Sequence, residues 1–255
     1  MPVGYITFCE DKLWCTWKEQ TLSVPPPFDP EAAPEPYLYF GADTNRLVAL
    51  TTNPGATMRH QRRAAVQAGT GPLCEKDKYA KAAPKLGDFY ETHLTGQAWH
   101  RIAKLRRLSS CLGYEGVMQV ELIPFHSATL PQKSRLLEEI NKEGSLLGHY
   151  VELLGKSLRD RPVVGIQAAS TQSSFSRKTK LSPWLRRVAE ITGLDLNAAD
   201  FVSLVEKGRK TTAAAWVSKR EPRKALVLMM GTNNLPGDDG LWKLAAALRE
   251  SSGKR

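Results

Sequence analysis

Leu47-Val48-Ala49-Leu50-Thr51-Thr52-Asn53-Pro54-Gly55 begins as a nearly continuous apolar run and closes on a polar turn. A strand that is apolar on both faces is one covered on both faces, which is the condition of strands in a parallel sheet. Two later tracts repeat the design. Val117-Met118-Gln119-Val120-Glu121-Leu122-Ile123-Pro124-Phe125-His126-Ser127 runs from strand into an aromatic, polar loop. Ala225-Leu226-Val227-Leu228-Met229-Met230-Gly231-Thr232-Asn233-Asn234-Leu235-Pro236-Gly237 does the same. In open α/β sheets ligands bind outside the carboxyl ends of the strands. Three polar ends of this kind point to one composite site.

Working outward, Leu47 to Thr52, Gly116 to Ile123, Pro162 to Ala168 and Lys224 to Met230 read as the four core strands. Gly96 to Leu108 is helical, with Ala98, Ile102 and Leu105 on one face and Arg101 and Lys104 toward the other. Pro131 to Leu158 is helical, with an interruption at Gly144. Ser182-Pro183 is an N-cap followed by proline at the first helical position, and Gly193 stops that helix. Asp238 or Asp239 caps a last helix over Leu241 to Glu250. Tyr37 to Phe40 and Thr211 to Ser218 are candidate extra strands, and Phe201 to Glu206 is a short helix or strand. Gly4 to Leu22 predicts a β-hairpin turning near Glu10-Asp11-Lys12. Val24 to Pro36 is a proline-rich loop. Gly55 to Gly87 is broken and polar, and long irregular stretches of this kind are usually functional or mobile. Strands alternating with helices imply an α/β class. The expectation is one domain over 1–255: hairpin and proline-rich loop over 1–40, then a three-layer α/β/α core over 41–255 around a four-stranded, mainly parallel sheet.

The chain has 255 residues, 42% of them hydrophobic, so it can bury a sizeable core. Its formal net charge is +10. That surplus favours a polyanionic partner, nucleic acid first, against the plain alternative of a solubilising surface. The basic residues cluster: Arg59, Arg62 and Arg63 after the first tract; Arg101, Lys104, Arg106 and Arg107 in one helix; Lys207, Arg209, Lys210, Lys219, Arg220, Arg223 and Lys224 before the third. No apolar stretch approaches the ~20 residues of a membrane span, and no signal peptide is evident, so no membrane is expected and the cytoplasm is the expected compartment. Cys9, Cys15, Cys74 and Cys111 form no C-x-x-C pair and read as reduced thiols. No cofactor or metal is implied.

Common catalytic signatures are missing. There is no G-x-x-x-x-G-K-[ST], no G-x-G-x-x-G, no G-x-S-x-G and no H-E-x-x-H. What remains is Asn53-Pro54-Gly55 at one strand end, Glu121 near a second and Thr232-Asn233-Asn234-Leu235-Pro236-Gly237 at a third. In these three motifs, taken in order, the chain resembles the uracil-DNA glycosylase superfamily, and its Asn-Pro-Gly resembles the mismatch-specific branch. The resemblance spans roughly residues 47–248, though its specific part is about twenty residues. It implies a uracil-glycosylase-like fold and a base-flipping enzyme acting on duplex DNA as a monomer.

On that resemblance, Asn53 orients the attacking water; as an amide it does not ionise and is no strong base. Backbone N–H groups after Pro54 bind the base oxygen or a phosphate. His126, Asn233 and Asn234 are candidate donors to the negative charge that develops on the departing base. His126 reads equally as a loop histidine bonded to backbone, and Asn233-Asn234 as a simple turn. Phe125 is a candidate stacking ring. Leu235 is a candidate wedge, with core packing as its alternative. Arg59, Arg62, Arg63 and Lys210 are candidate phosphate contacts. Two departures bear on the substrate. Where the common uracil enzymes carry an aromatic wall against C5 of the base, this chain has Gly55. Where they read the base with Asn, it has Glu121, whose carboxylate accepts from the exocyclic amine of cytosine and repels the carbonyl edge of uracil. Glu121 also reads as a buried carboxylate paired with an arginine. Together the departures point to a 5-substituted cytosine, such as the hydroxymethylated or glucosylated cytosine of phage DNA, and so to antiviral defence. The rival expectations are a uracil or mismatch repair glycosylase, a non-catalytic basic nucleic-acid-binding module, and an unrelated α/β hydrolase of small nucleotides.

Overall fold

A computed structural model of the chain describes residues 3–9, 14–20, 37–41, 45–52, 87, 97–125, 132–169, 174–205, 212–218, 220–230 and 235–253. Among them are nine strands and five helices. The strands are β1 (Val3–Cys9), β2 (Trp14–Gln20), β3 (Tyr37–Gly41), β4 (Arg46–Thr51), β5 (Gly116–Glu121), β6 (Val163–Ala169), β7 (Asp200–Ser203), β8 (Ala213–Val217) and β9 (Lys224–Met230). The helices are α1 (Gln97–Cys111), α2 (Lys133–Asn141), α3 (Leu146–Leu158), α4 (Pro183–Thr192) and α5 (Asp238–Gly253).

β1 and β2 pair antiparallel from Val3↔Gln20 to Cys9↔Trp14, as the alternating aromatic pattern predicts. The other seven strands form one sheet of order β3-β5-β4-β6-β9-β8-β7. The α/β class stands, but the expected four strands become seven. The four core strands read from the sequence, β5, β4, β6 and β9, are consecutive in the sheet; β3 extends one edge, and β8 and β7 the other. The extra strands are short, and β8 opens on Ala213-Ala214-Ala215, which has little strand propensity of its own. Pairing with β9 makes it a strand.

The chain divides into two compact units, 1–40 with 52–94 and 119–157, and 41–51 with 95–118 and 158–255. In the first, a turn at Gly144, in the left-handed region at φ 72°, separates α2 from α3. Leu136 and Ile140 of α2 and Leu147, Tyr150, Val151 and Leu154 of α3 are buried.

In the second unit β4, β6 and β9 are parallel, in register Val48↔Val163↔Lys224 and Leu50↔Gly165↔Leu226. β8 is antiparallel to β9, and β7 to β8. Helix α4 folds where its local signals put it. The Ser182 hydroxyl accepts from the Leu185 N–H, and Gly193 caps the far end at φ 75°. Trp184 near its start donates Nε1–H to Gln167 Oε1 at 3.0 Å, near the carboxyl end of β6. Thr192 at its end lies over Gly165, where an added Cβ would stand 3.0 Å from Thr192 Cγ2. Helix α4 therefore runs antiparallel to β6 and starts at the carboxyl edge of the sheet. Gly193→Ala is expected to destabilise the fold by about 1–2 kcal/mol, because Ala resists the left-handed backbone. Urea denaturation measures it, and an unchanged midpoint would contradict the cap.

Helix α5 starts at Asp238, three residues before the predicted Leu241. Asp238 and Asp239 stand in its first turn, where their negative charge suits the positive end of the helix dipole.

Candidate functional site

Within the first unit the ends of two tracts meet. The Ile123 N–H donates to the Thr52 carbonyl at 2.8 Å. Thr52 is the residue before Asn53, and Ile123 follows Glu121 by two positions. Gln119 and Glu121 alternate onto one face of β5. Gln119 Nε2 donates to Glu121 Oε1 at 2.6 Å, with only 3% and 1% of the two residues exposed. The Tyr150 hydroxyl donates to the Glu121 backbone carbonyl at 2.6 Å, tying α3 to the end of β5. A buried carboxylate is tolerated only with hydrogen-bond donors around it. A carboxylate only accepts, so the Gln119 amide must turn its nitrogen toward Glu121. Gln119 Oε1 is then a buried acceptor with no donor among the described residues. Phe125 is 1% exposed, so its ring is enclosed by protein in this conformation.

In the second unit the candidate region is the carboxyl edge of β4, β6 and β9. β5 lies on one side of β4 and β6 on the other, so β4 and β6 flank a topological switch point. That is where open α/β sheets bind ligands. Thr51 and Gln167 bring buried polar side chains to this end of β4 and β6. After β6, Phe175 and Leu181 anchor a segment whose Arg177, Lys178 and Lys180 are exposed. Nothing in the tract motifs singles these three out. The available signal is charge: residues 161–189 contain no Asp or Glu.

Three expectations change here. Lys104 and Arg107 of α1, members of the basic cluster read on that helix, are engaged within the fold. Lys104 Nζ donates to the Leu235 carbonyl at 2.9 Å, and Arg107 forms an ion pair with Asp238 at the start of α5. Both partners lie 131 positions away, beyond any local pattern. Arg220 and Arg223 precede β9 and Lys224 opens it, so a parallel sheet sends them to the edge opposite the candidate region. Arg223 donates to the Leu112 carbonyl at 2.8 Å and stands over the Tyr114 ring. Leu235, a candidate wedge with core packing as its alternative, is 1% exposed, which favours the core. Asn53, Pro54, Gly55, Arg59, Arg62, Arg63, His126, Lys210, Asn233 and Asn234 lie outside the described residues, as does nearly all of the Gly55 to Gly87 stretch.

Lys224 is the one group among the described residues pushed as far as a pKa of about 8, chiefly by burial, with Asp160 opposing the shift. Buried lysines with lowered pKa are often functional. Here the ammonium donates to the Leu158 carbonyl at the end of α3, 2.6 Å away, and lies beside Gly193 at the end of α4. Two helix C-termini account for it structurally. Between pH 8 and 10.5 the unfolded lysine keeps a proton that the folded one has lost, so stability rises with pH across this window. Tyr114, raised above 10 mainly by burial, acts oppositely above pH 10. Chemical denaturation from pH 8 to 10 is expected to show the rise in the wild type and a flatter profile in Lys224→Met. Equal slopes would contradict it.

A concavity of about 480 Å³ lined by Arg106, Ser109, Ser110, Tyr114, Glu115 and Gly116 lies at the amino end of β5. Ser109 Oγ is bonded to the Gly116 carbonyl at 2.7 Å, and this end of a strand is not where α/β sheets place ligands. Among the described residues no three His, Cys, Asp or Glu side chains gather as a metal site, and no helix is long and apolar enough to cross a membrane. Compared with family models, with characterised proteins and with solved structures, the chain matches none.

Proposed function

We propose that the chain is a monofunctional DNA N-glycosylase with a uracil-glycosylase-like, three-layer core, and that it excises a 5-substituted cytosine. The observation that carries the reading is the 2.8 Å bond from the Ile123 N–H to the Thr52 carbonyl. It holds the chain entering Asn53 beside the chain leaving Glu121, as a water-orienting amide and a base-reading carboxylate acting on one nucleotide require. The acid–amide pair at the end of β5 supplies fixed acceptors for an exocyclic amine.

The chemistry is hydrolysis of one bond. The nucleotide leaves the stack, and the C1′–N bond lengthens as positive charge grows on the sugar and negative charge on the base. The Asn53 amide orients a water whose oxygen bonds to C1′. The departing base takes up a proton, with His126, Asn233 and Asn234 as candidate donors to its developing charge. Gly55 leaves room for the C5 substituent. The product is an abasic site in an uncut strand, and modified phage DNA is the natural source of such a base.

A substrate panel tests the proposal. Duplexes carrying 5-hydroxymethylcytosine, glucosylated 5-hydroxymethylcytosine, uracil or a G·T mismatch are incubated with the protein and then with hot alkali. Cleavage at the modified cytosines is expected. Cleavage at uracil or the mismatch alone would assign a repair enzyme, and none at all would reject glycosylase activity.

A further inference from the structure

We infer that the turn from Phe175 to Leu181, ahead of α4 and with Arg177 and Lys178 at its tip, is a docking surface for the sugar–phosphate backbone of nucleic acid. The segment sits at the carboxyl edge of the parallel strands, because it follows the end of β6 and leads into the start of α4. Phe175 and Leu181 are buried at 4% and 6% exposure, so the stretch is pinned to the core at both ends. Between them a tight turn returns the Thr179 N–H to the Ser176 carbonyl at 3.0 Å, and the Thr179 hydroxyl accepts from the Ser176 N–H at 2.8 Å. This turn holds Arg177 and Lys178 outward, both exposed. Arg186 in the first turn of α4 donates Nε–H to the Leu181 carbonyl at 3.1 Å and fixes the far end of the segment.

Charge names the partner. No carboxylate occurs from residue 161 to 189, so these cations have no acidic neighbour within the segment to neutralise them. Arg187, by contrast, is paired with Glu190 at 3.0 Å and is not part of the surface. Exposed cations on a pinned turn fit a partner with regularly spaced negative charge, and a phosphodiester backbone has it. The inference does not rest on catalysis: it requires binding, whether or not a base is excised.

The test is fluorescence anisotropy of a labelled 20-base-pair duplex titrated with wild type, Arg177→Glu/Lys178→Glu and, as an equal charge change elsewhere, Arg135→Glu/Lys142→Glu. All four side chains are exposed, and thermal melting verifies that each variant folds. The first pair is expected to weaken binding at least tenfold near physiological salt and to reduce the slope of log K against log salt by about 2, from two lost phosphate contacts. The control pair is expected to stay within about twofold. Equal weakening by both pairs would reduce the effect to overall charge and overturn the inference, as would no weakening by either. Loss of binding to phosphatidylserine vesicles with duplex binding intact would assign the surface to a membrane and overturn it equally. Abasic-site formation by the wild type, assayed separately, tells failure of the glycosylase reading from failure of this one.

Discussion

Asn53→Ala is expected to lower the rate of base release by about 10²–10³-fold while duplex affinity stays within a few-fold of wild type. The magnitude follows from what the amide is asked to do. Holding one water against C1′ converts a chance encounter into a positioned attack, and removing a single preorganised polar group of this sort costs about 3–4 kcal/mol of transition-state stabilisation. Affinity is expected to be spared because, on the proposed reading, phosphate contacts by other residues dominate it. Single-turnover excision with gel readout gives the rate, and anisotropy gives the affinity. Asn53→Asp separates roles further: a carboxylate also orients water and should retain much of the rate. Unchanged excision by Asn53→Ala would remove the proposed centre, and parallel loss of binding would make position 53 a docking residue.

Glu121→Gln is the second large effect. The replacement keeps the shape of the side chain at a position that is 1% exposed, and it exchanges one acceptor for a donor. Against cytosine, whose exocyclic amine donates, the variant loses a favourable contact. Against uracil, whose carbonyl accepts, it gains one. Discrimination of this kind is worth about 1–3 kcal/mol, so the ratio of cytosine-type to uracil excision should fall by roughly 10–100-fold. A merely structural role predicts something else: both substrates slow together and the melting temperature drops, because Gln119 Nε2 loses the carboxylate it donates to. The ratio of kcat/KM values distinguishes the two outcomes.

The parts of the fold legible in the sequence are those set by local chemistry. Ser182-Pro183 and Gly193 delimit α4 because a cap hydroxyl and a left-handed glycine act within a turn of their own positions. Gly144 divides α2 from α3 for the same reason, and Lys224–Met230 reads as a strand through its unbroken apolar run. What pairing and packing decide was legible only as alternatives. Thr211 to Ser218 reads as a candidate strand, but Ala213-Ala214-Ala215 has a place in the sheet only because β9 and β7 flank it, and burial settles Leu235 as core rather than wedge. The charged residues divide in the same way. Lys104 and Arg107 look free on α1 until the chain returns 131 positions later to meet them. Arg177 and Lys178 look incidental until the direction of α4 puts their turn at the edge where α/β sheets bind ligands. At the candidate centre, the sequence named Glu121 but not its buried amide neighbour Gln119 or the Tyr150 hydroxyl on the carbonyl behind it.

The most direct measurement is the identity of the product. Duplex DNA containing 5-hydroxymethylcytosine is incubated with the protein, and the soluble fraction is analysed by mass spectrometry before any alkali is added. Free 5-hydroxymethylcytosine base, released over strands of unchanged length, is the predicted result. Release of a nucleoside or nucleotide, or strands cut without free base, would make this a phosphodiester or nucleotide hydrolase and contradict the account.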